Sequence, residues 1–183
     1  MRAVVLVGGF GTRLRPLTNA RPKQMLPIVN RPMIEHVVGH LGRHGIDEVV
    51  LSLGFMPDAF RDAYPDALCA GVRLHYAVEP EPLDTAGAIR FAAREAGIDE
   101  RFVVVNGDVL TDLDIGRVVE FHERSGAEAT ITLHKVNDPS RYGVVPTDEE
   151  GRVLAFVEKP APGEAPTNLI NEGTYVLEPA VLD

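Results

Sequence analysis

The residues best suited to chemistry follow the first apolar run of the chain. The run Ala3–Val7 leads into Gly8-Gly9-Phe10-Gly11-Thr12-Arg13, and Lys23 lies further along the same loop. Glycines after a buried strand let backbone N–H groups approach phosphate oxygens closely. The guanidinium of Arg13 can grip two phosphate oxygens at once, and Lys23 supplies a second positive charge. The segment is typical of a phosphate-binding loop, although a plain strand-to-helix turn has the same glycine pattern.

Two common phosphate-binding motifs are excluded. A P-loop ends in Gly-Lys-Ser/Thr, whereas Arg13-Leu14 stand at that place. A dinucleotide fingerprint needs a third glycine and an immediate helix, but position 14 is Leu, and Pro16 and Pro22 oppose a long helix. The loop is therefore predicted to hold phosphates by another scheme.

A second candidate group is the carboxylate of Asp108. It follows the apolar run Phe102–Val105 in the sequence Asn106-Gly107-Asp108. Mg²⁺ prefers one or two carboxylates together with phosphates and water, which makes Asp108 a candidate metal ligand. An aspartate that caps the next turn has the same local pattern, so the residues alone leave both interpretations open. Asp112 and Asp114 are expected to cap the following helix.

Short apolar runs alternate with segments of helical period, which indicates an α/β protein. The predicted strands are Ala3–Val7, Val49–Leu53, Val72–Val78 and Phe102–Val105, and the predicted helices are Met33–Arg43, Pro57–Tyr64, Thr85–Ala96 and Ile115–Arg124. Such alternation predicts a mixed, mostly parallel sheet with helices on both faces. Ligands bind at the carboxyl ends of the strands in such sheets. Three segments are predicted to meet there: Gly8–Lys23, Glu79–Gly87 and Asn106–Asp108.

The pattern changes after residue 126. Strands are predicted at Ala129–Val136, Gly143–Pro146, Val153–Val157 and Thr174–Leu177, and Pro160–Pro166 has the composition of a surface loop. Little helix separates these strands. They predict an extension of the sheet that closes over the site.

Composition limits the class of protein. A chain of 183 residues suits one domain, and 45% hydrophobic with 25% charged residues is ordinary for a globular protein. A formal net charge of −9 argues against nucleic acid as the partner. No apolar run approaches the ~20 residues that cross a bilayer, so no membrane association is expected. The single cysteine, Cys69, agrees with a reducing compartment, and a cytoplasmic location is predicted.

Longer motifs resemble the signature of the sugar-1-phosphate nucleotidylyltransferase family. The glycine loop continues as GGFGTRLRPLTNARPKQMLPIVNRPMI, and further similarity runs through PLDTAGAI, VVNGDVLTD, RYGVV, FVEKP and INEGTYVLEP. The similarity covers nearly the whole chain, and the subgroup it resembles most is that of mannose-1-phosphate guanylyltransferases. The resemblance implies a Rossmann-like nucleotide-diphospho-sugar transferase fold. It also implies transfer of a nucleotidyl group from a nucleoside triphosphate to a sugar 1-phosphate, with release of pyrophosphate and with Mg²⁺ as cofactor. A second copy of the chain is a further possible partner, which would give a homo-oligomer.

The resemblance also implies roles for individual residues. Arg13, Lys23 and Lys159 are implied as catalytic, and Asp108 as the magnesium ligand. The residues implied to bind the nucleotide are Leu6, Gly8, Gly9, Gly11, Thr12, Arg13, Lys23, Glu79, Thr85 and Asn106. The residues implied to bind the sugar phosphate are Gly143, Glu158, Lys159 and Asn171. A second metal-binding aspartate occurs downstream in the family, and no residue before Asp183 matches it. Residues 1–183 are therefore expected to form a single catalytic domain that is truncated at its C-terminal end.

Glu79 is the residue that bears on the choice of base. Uridylyl- and thymidylyl-specific relatives carry a glutamine at about this place, and an amide can both donate and accept. An ionised carboxylate only accepts, and guanine presents N1–H and N2–H₂ side by side. Glu79 therefore favours GTP, although a solvated residue at a strand end would have the same pattern. Thr85 flanks the same expected pocket, and Asp84 stands where relatives commonly have glycine.

Three alternative functions share part of this pattern. An NAD-dependent oxidoreductase would need an acidic residue at a strand end about 20 residues past the glycines, and Asn30–Glu35 does not present one cleanly. A regulatory subunit could keep the fold without catalysis, but Arg13, Lys23, Asp108 and Lys159 are all intact. Glucose-1-phosphate thymidylyl- or uridylyltransferase is the nearest enzymatic alternative.

Overall fold

The computed structural model describes residues 1–183 and contains eleven strands, four α-helices and three short 3₁₀ turns. The strands are β1 Arg2–Leu6, β2 Pro27–Ile28, β3 Arg31–Pro32, β4 Glu48–Leu53, β5 Leu68–Cys69, β6 Val72–Val78, β7 Phe102–Asn106, β8 Ala129–Lys135, β9 Gly143–Val144, β10 Val157–Glu158 and β11 Leu169–Leu177. The helices are α1 Met33–Arg43, α2 Pro57–Ala63, α3 Asp84–Glu95 and α4 Ile115–Ser125. None of the helices has the length and apolar composition needed to span a bilayer.

The chain divides into two compact units. The first comprises Met1–Thr130 and Tyr175–Asp183, and the second comprises Ile131–Thr174. The second unit begins close to residue 126, where the sequence pattern changes, and a single catalytic domain remains a prediction.

The first unit is built on a parallel sheet. Its strands run in the order β7-β1-β4-β6, and the short β5 pairs antiparallel with β6 at the edge. The four parallel strands are those predicted from the apolar runs, and their bounds agree to within one residue. The class predicted from the sequence, a mostly parallel mixed sheet with helices, is confirmed.

Apolar side chains cover both faces of this sheet. Alternate residues of β1 point to opposite faces, so Ala3 and Val5 pack with α1 while Val4 packs with Ala92 and Ala93 of α3. All three β1 residues are fully buried. Burial on both faces explains why β1 and β7 are continuous apolar runs rather than alternating ones.

The four α-helices also agree with the prediction. α1 begins and ends where the pattern predicts, and the other three differ from it by one residue at one or both ends. Asp114 occupies the N-cap of α4, where its Oδ1 accepts a hydrogen bond from Arg117 N at 3.2 Å. Capping by Asp114 is therefore confirmed, whereas Asp112 lies two residues before the cap position.

The second unit is antiparallel, and its strands differ most from the prediction. Val144 of β9 pairs with Val157 of β10 and with Ile170 of β11. The strand predicted at Val153–Val157 is wrong, because only Val157 belongs to β10 and Val153 makes an isolated bridge to Thr147. The strand predicted to begin at Thr174 begins instead at Leu169, and β9 ends at Val144 rather than Pro146.

A partly buried polar network joins Glu178, just after β11, to α4 in the first unit. Arg101 Nε donates to Glu178 Oε1 at 2.6 Å, and His122 Nε2 donates to the same oxygen at 3.1 Å. His122 is 1% exposed and also contacts Thr130 Oγ1 at 2.8 Å. The hydrogen bond from Arg101, followed by that from His122, holds the pKa of Glu178 below its ordinary range.

This network predicts a dependence of stability on pH. The folded-state pKa of Glu178 is lowered, so ionised Glu178 stabilises the folded protein. This contribution to the free energy of unfolding is complete above the unfolded glutamate pKa of about 4.3 and is lost as pH falls through the lower, folded value. We expect Glu178→Gln to lower the melting temperature at pH 7 by about 2–4 °C and to weaken its fall below pH ~4. Thermal melts followed by circular dichroism measure both. Glu120→Gln, at an exposed position of α4, is the matched control; equal acid sensitivity of wild type and Glu178→Gln would contradict the assignment.

Candidate active site

The glycine loop after β1 is short and tightly turned. Gly11 has φ 59°, and a Cβ at this position would lie 2.9 Å from Thr18 Cγ2, so only glycine fits. Thr18 Oγ1 donates a hydrogen bond to Gly11 O at 2.8 Å, and this bond fixes the loop. Thr12–Leu14 then forms one 3₁₀ turn and no longer helix, as the prolines predict.

A cavity of about 320 Å³ opens at the carboxyl ends of β1, β6 and β7. Its lining residues are Leu6, Gly8, Gly9, Phe10, Gly11, Lys23, Gln24, Gly54, Glu79, Pro82, Leu83, Asp84, Thr85, Ala88, Asn106 and Asp108. All three segments predicted to meet at this edge contribute to the lining. Such a volume is of the size that small-molecule ligands occupy.

Lys23 and Asp108 form an ion pair in this cavity. Lys23 begins the 3₁₀ turn Lys23–Met25, and Asp108 follows β7. The intervening Gly107 permits this placement, because a Cβ there would lie 2.6 Å from Val7 Cγ1 and 2.9 Å from Leu6 O. The side chains are 23% and 37% exposed, so incoming groups reach both.

The charges of the lining are unbalanced. Lys23 is its one cation, whereas Glu79, Asp84 and Asp108 are carboxylates, which gives a formal net charge of −2. A polyphosphate would add further negative charge. A cation in addition to Lys23 would therefore favour the binding of such a ligand.

Two hydrogen-bond donors hold the carboxylate of Glu79, which also lines the cavity. Ser52 Oγ donates to Glu79 Oε1 at 2.9 Å, and Leu83 N donates to Oε2 at 3.4 Å. The carboxylate lies against two glycines, since a Cβ on Gly8 would be 3.4 Å from Oε1 and one on Gly54 would be 3.6 Å from Oε2. Because neither glycine has a side chain, the backbone beside the carboxylate leaves this space unfilled.

The structure separates the predicted nucleotide-side residues into two groups. Leu6, Gly8, Gly9, Gly11, Lys23, Glu79, Thr85, Asn106 and Asp108 line the cavity. Thr12 and Arg13 lie on the exposed face of the 3₁₀ turn, outside the lining. Their roles toward phosphate remain predictions.

Several lining residues were not predicted from the sequence. Phe10 packs edge-to-face on Phe55 with ring centroids 5.2 Å apart, and Asp84 has φ 55° at the start of α3. Gln24 is 3% exposed, and its Oε1 is buried without a hydrogen-bond partner. Such an acceptor costs about 1–3 kcal/mol unless a donor reaches it. The sequence signal that could have identified Gln24 is a polar residue inside the apolar stretch after Lys23.

Helix α1 fixes the loops that carry Lys23 and Asp108. His36 Nε2 donates to Ile28 O at 2.9 Å in the β2–β3 hairpin, which follows Lys23. His40 Nε2 donates to Leu113 O at 2.8 Å in the loop after Asp108. Desolvation is the main cause that lowers the pKa of His40, which favours its neutral form. No three side chains of His, Cys, Asp or Glu come together as a metal cage.

The predicted sugar-side residues lie in the second unit. Gly143 of β9 pairs with Glu158 of β10, and a Cβ at Gly143 would lie 3.1 Å from Glu158 Oε2. Lys159 Nζ lies 2.7 Å from Glu158 Oε1, and Lys159 N donates to Tyr142 O at 3.0 Å. Asn171 Oδ1 accepts from Gly173 N at 2.8 Å. The Glu158–Lys159 pair is exposed and free to reorient toward a ligand.

A glycine loop, a cation and a carboxylate at the carboxyl edge of a parallel sheet are typical of α/β proteins that bind nucleotides. The chain matches the model of the nucleotidyl transferase family over residues 2–183 and belongs to that family. It is 42% identical over 181 residues to a mannose-1-phosphate guanylyltransferase of Mycobacterium tuberculosis, covering 99% of this chain and 50% of that protein. It is 43% identical over 187 residues to mannose-1-phosphate guanylyltransferase 1 of Arabidopsis thaliana, covering 100% and 51%. The chain thus spans about half the length of these curated relatives.

Solved structures share the fold. HddC from Yersinia pseudotuberculosis is 32% identical with a TM-score of 0.82, and the match covers 97% of this chain and 76% of that one. The same protein has been solved in complex with GMP-PN, with a TM-score of 0.80. A UTP-bound UGPase from Acinetobacter baumannii is 28% identical with a TM-score of 0.79, over 99% of this chain and 75% of that one. Family membership rules out the NAD-dependent oxidoreductase.

Proposed function

We propose that the protein transfers a guanylyl group from GTP to a sugar 1-phosphate, most favourably mannose 1-phosphate, and releases pyrophosphate. The observation that carries the proposal is that the glycine loop, Lys23, Asp108 and Glu79 line one cavity. The identity to mannose-1-phosphate guanylyltransferases and the HddC complex with GMP-PN support the choice of base. The buried free thiol of Cys69 agrees with the cytoplasmic location that we include in the proposal.

The chemistry needs positioning and charge neutralisation rather than a general base. The nucleophile is an oxygen of a phosphate monoester whose second pKa is about 6, so it is already ionised at neutral pH. In agreement, no histidine or cysteine lines the cavity. Backbone N–H groups of Gly8–Gly11 and the ammonium of Lys23 bind the triphosphate and hold its α-phosphorus for in-line attack. The phosphate oxygens compete with Asp108 for Lys23.

The residues at this site fit Mg²⁺ shared between protein and substrate. Asp108 offers one carboxylate, and Mg²⁺ commonly takes one or two carboxylates plus phosphate oxygens and water. When bound, Mg²⁺ would neutralise charge on the phosphates. The net charge of −2 on the lining makes such a cation favourable for the binding of a polyphosphate. Asp108 would hold it, and Lys23 would be released toward the phosphates.

The sugar phosphate is assigned to the second unit. Lys159 would bind its phosphate, and Glu158 would accept hydrogen bonds from sugar hydroxyls. Gly143 leaves room for the sugar against the backbone, and Asn171 would bond a hydroxyl. Lys159 and Glu158 contact each other at 2.7 Å, and both side chains are exposed enough to turn toward the sugar.

Glu79 is proposed to recognise guanine. Its two oxygens offer about four acceptor sites, of which Ser52 and Leu83 N occupy two. The remaining sites suit the adjacent N1–H and N2–H₂ donors of guanine. Uracil and thymine present only N3–H between two carbonyl acceptors, and the carboxylate would repel those carbonyls.

Replacing Glu79 by glutamine is expected to reduce the preference for GTP over UTP and dTTP by about 10–100-fold. The amide turns an N–H₂ group toward a guanine donor, and a charge-assisted hydrogen bond is worth about 1.5–3 kcal/mol. The readout is the ratio of kcat/KM values from pyrophosphate release. Glu81→Gln removes the same charge two residues away, outside the lining, and should leave the ratio unchanged. An unaltered GTP preference in Glu79→Gln would refute the base assignment.

The reaction itself is tested by a substrate panel. ATP, GTP, CTP, UTP and dTTP are each combined with Mg²⁺ and either mannose 1-phosphate or glucose 1-phosphate, and pyrophosphate release is followed. We expect the highest rate with GTP and mannose 1-phosphate. Preference for UTP or dTTP with glucose 1-phosphate would identify a uridylyl- or thymidylyltransferase. Silence with every pair would favour a regulatory subunit.

A further inference from the structure

One hydroxyl lies buried on a central strand where the neighbouring positions are apolar. Ser52 is 0% exposed near the end of β4, and its sheet partners are Leu6 of β1 and Ala77 of β6. Burying a hydroxyl without a hydrogen-bond partner costs free energy, so the partner of the Ser52 hydroxyl indicates the role of this residue. Two acceptors lie within reach: Glu79 Oε1 at 2.9 Å and Ala88 O at 3.4 Å. Serine has one proton to donate, and the shorter distance assigns it to Glu79.

The position of Ser52 makes it a rigid support. Parallel strands on both sides fix its backbone, and Glu79 N donates to Leu53 O at 2.9 Å, which ties the glutamate's own backbone to the same strand. The second carboxylate oxygen is held by Leu83 N. Each oxygen of Glu79 therefore has one fixed donor from the protein and one remaining acceptor site toward the cavity. The carboxylate is restrained against rotation about its own axis.

We propose that Ser52 is a positioning residue that holds the Glu79 carboxylate with one acceptor site free on each oxygen. The site then requires a base with two adjacent donors and discriminates guanine from hypoxanthine. This inference rests on the proposed recognition of guanine by Glu79. Hypoxanthine has the N1–H donor but carries C2–H where guanine has the N2 amino group. When the carboxylate is fixed, this C2–H leaves one of its oxygens without a hydrogen-bond donor. A site built to accept two donors strongly rejects a base that lacks one of them. A carboxylate free to rotate would lower this penalty.

The test compares the affinities of GTP and ITP for Ser52→Ala, Glu79→Gln and wild type by titration calorimetry with Mg²⁺. We expect wild type to favour GTP by at least about tenfold, and Ser52→Ala to reduce the GTP-to-ITP ratio about fivefold or more. Ser125→Ala removes a serine hydroxyl at the end of α4 and should keep the wild-type ratio. The ratio is informative because general destabilisation weakens both nucleotides alike.

The outcomes separate this inference from the proposed function. If Glu79→Gln loses the preference for GTP while Ser52→Ala keeps it within twofold of wild type, the role of Ser52 is overturned and guanine recognition stands. If Glu79→Gln also keeps the wild-type ratio, or wild type binds both nucleotides equally, the recognition of guanine by Glu79 fails as well. Ser52→Cys has a similar volume and a weaker donor, so it provides the same measurement if Ser52→Ala does not fold.

Discussion

Replacing Lys23 by methionine is expected to lower kcat/KM for pyrophosphate release by about 10²–10³-fold. Lys23 is the one cation in the cavity lining, and the proposed transition state gathers negative charge between two phosphate groups. Removing one preorganised donor from such a site costs about 10²–10³-fold in other enzymes. Methionine keeps a long unbranched side chain, so the 3₁₀ turn that begins at Lys23 should persist.

Arg21→Met is the matched control for Lys23. Arg21 lies in the same loop, carries the same charge and is exposed outside the cavity lining. Its loss changes the net charge of the protein equally, so a general electrostatic effect on nucleotide encounter would appear in both variants. Rates for Lys23→Met within a fewfold of those for Arg21→Met would show that Lys23 has no special role toward the phosphates.

Replacing Asp108 by asparagine is expected to move two measurements in opposite directions. Pyrophosphate release should fall by about 10³-fold, since a metal ion supplies several kcal/mol of charge stabilisation and asparagine holds it poorly. Affinity for GTP without metal should instead rise about three- to tenfold. The substitution removes a negative charge from the lining and frees Lys23 from its ion pair. Calorimetry in the presence of a chelator measures this second effect.

Asp112→Asn controls for charge in the same loop. Asp112 is exposed four residues after Asp108 and does not line the cavity, so both measurements should stay at wild-type values. A misfolded Asp108→Asn variant would lose rate and affinity together. If the metal-free affinity falls along with the rate, the idea that Asp108 competes with phosphate for Lys23 is wrong.

Much of the first unit could be predicted from local pattern. Continuous apolar runs predict β1 and β7, because strands buried on both faces need apolar side chains at every position, and short β-rich runs predict β4 and β6. Their carboxyl ends then bring the glycine loop, Glu79 and Asp108 to one edge, since parallel strands end together. The short strands of the second unit were harder to predict. β9 and β10 have two residues each and exist through their pairing partners rather than through their own composition.

The sequence by itself determined the class of fold, the edge that carries the site and the residue types available there. Only the tertiary structure decided which of them face the cavity. Four cations, Arg13, Arg15, Arg21 and Lys23, lie close together in sequence, yet Lys23 alone lines it. Loop side chains have no period, and their directions follow from single turns and from packing such as that of Gly107 on Val7. The hydrogen bond from Ser52 to Glu79 spans 27 residues and joins β4 to the residue that follows β6, and no local pattern encodes it.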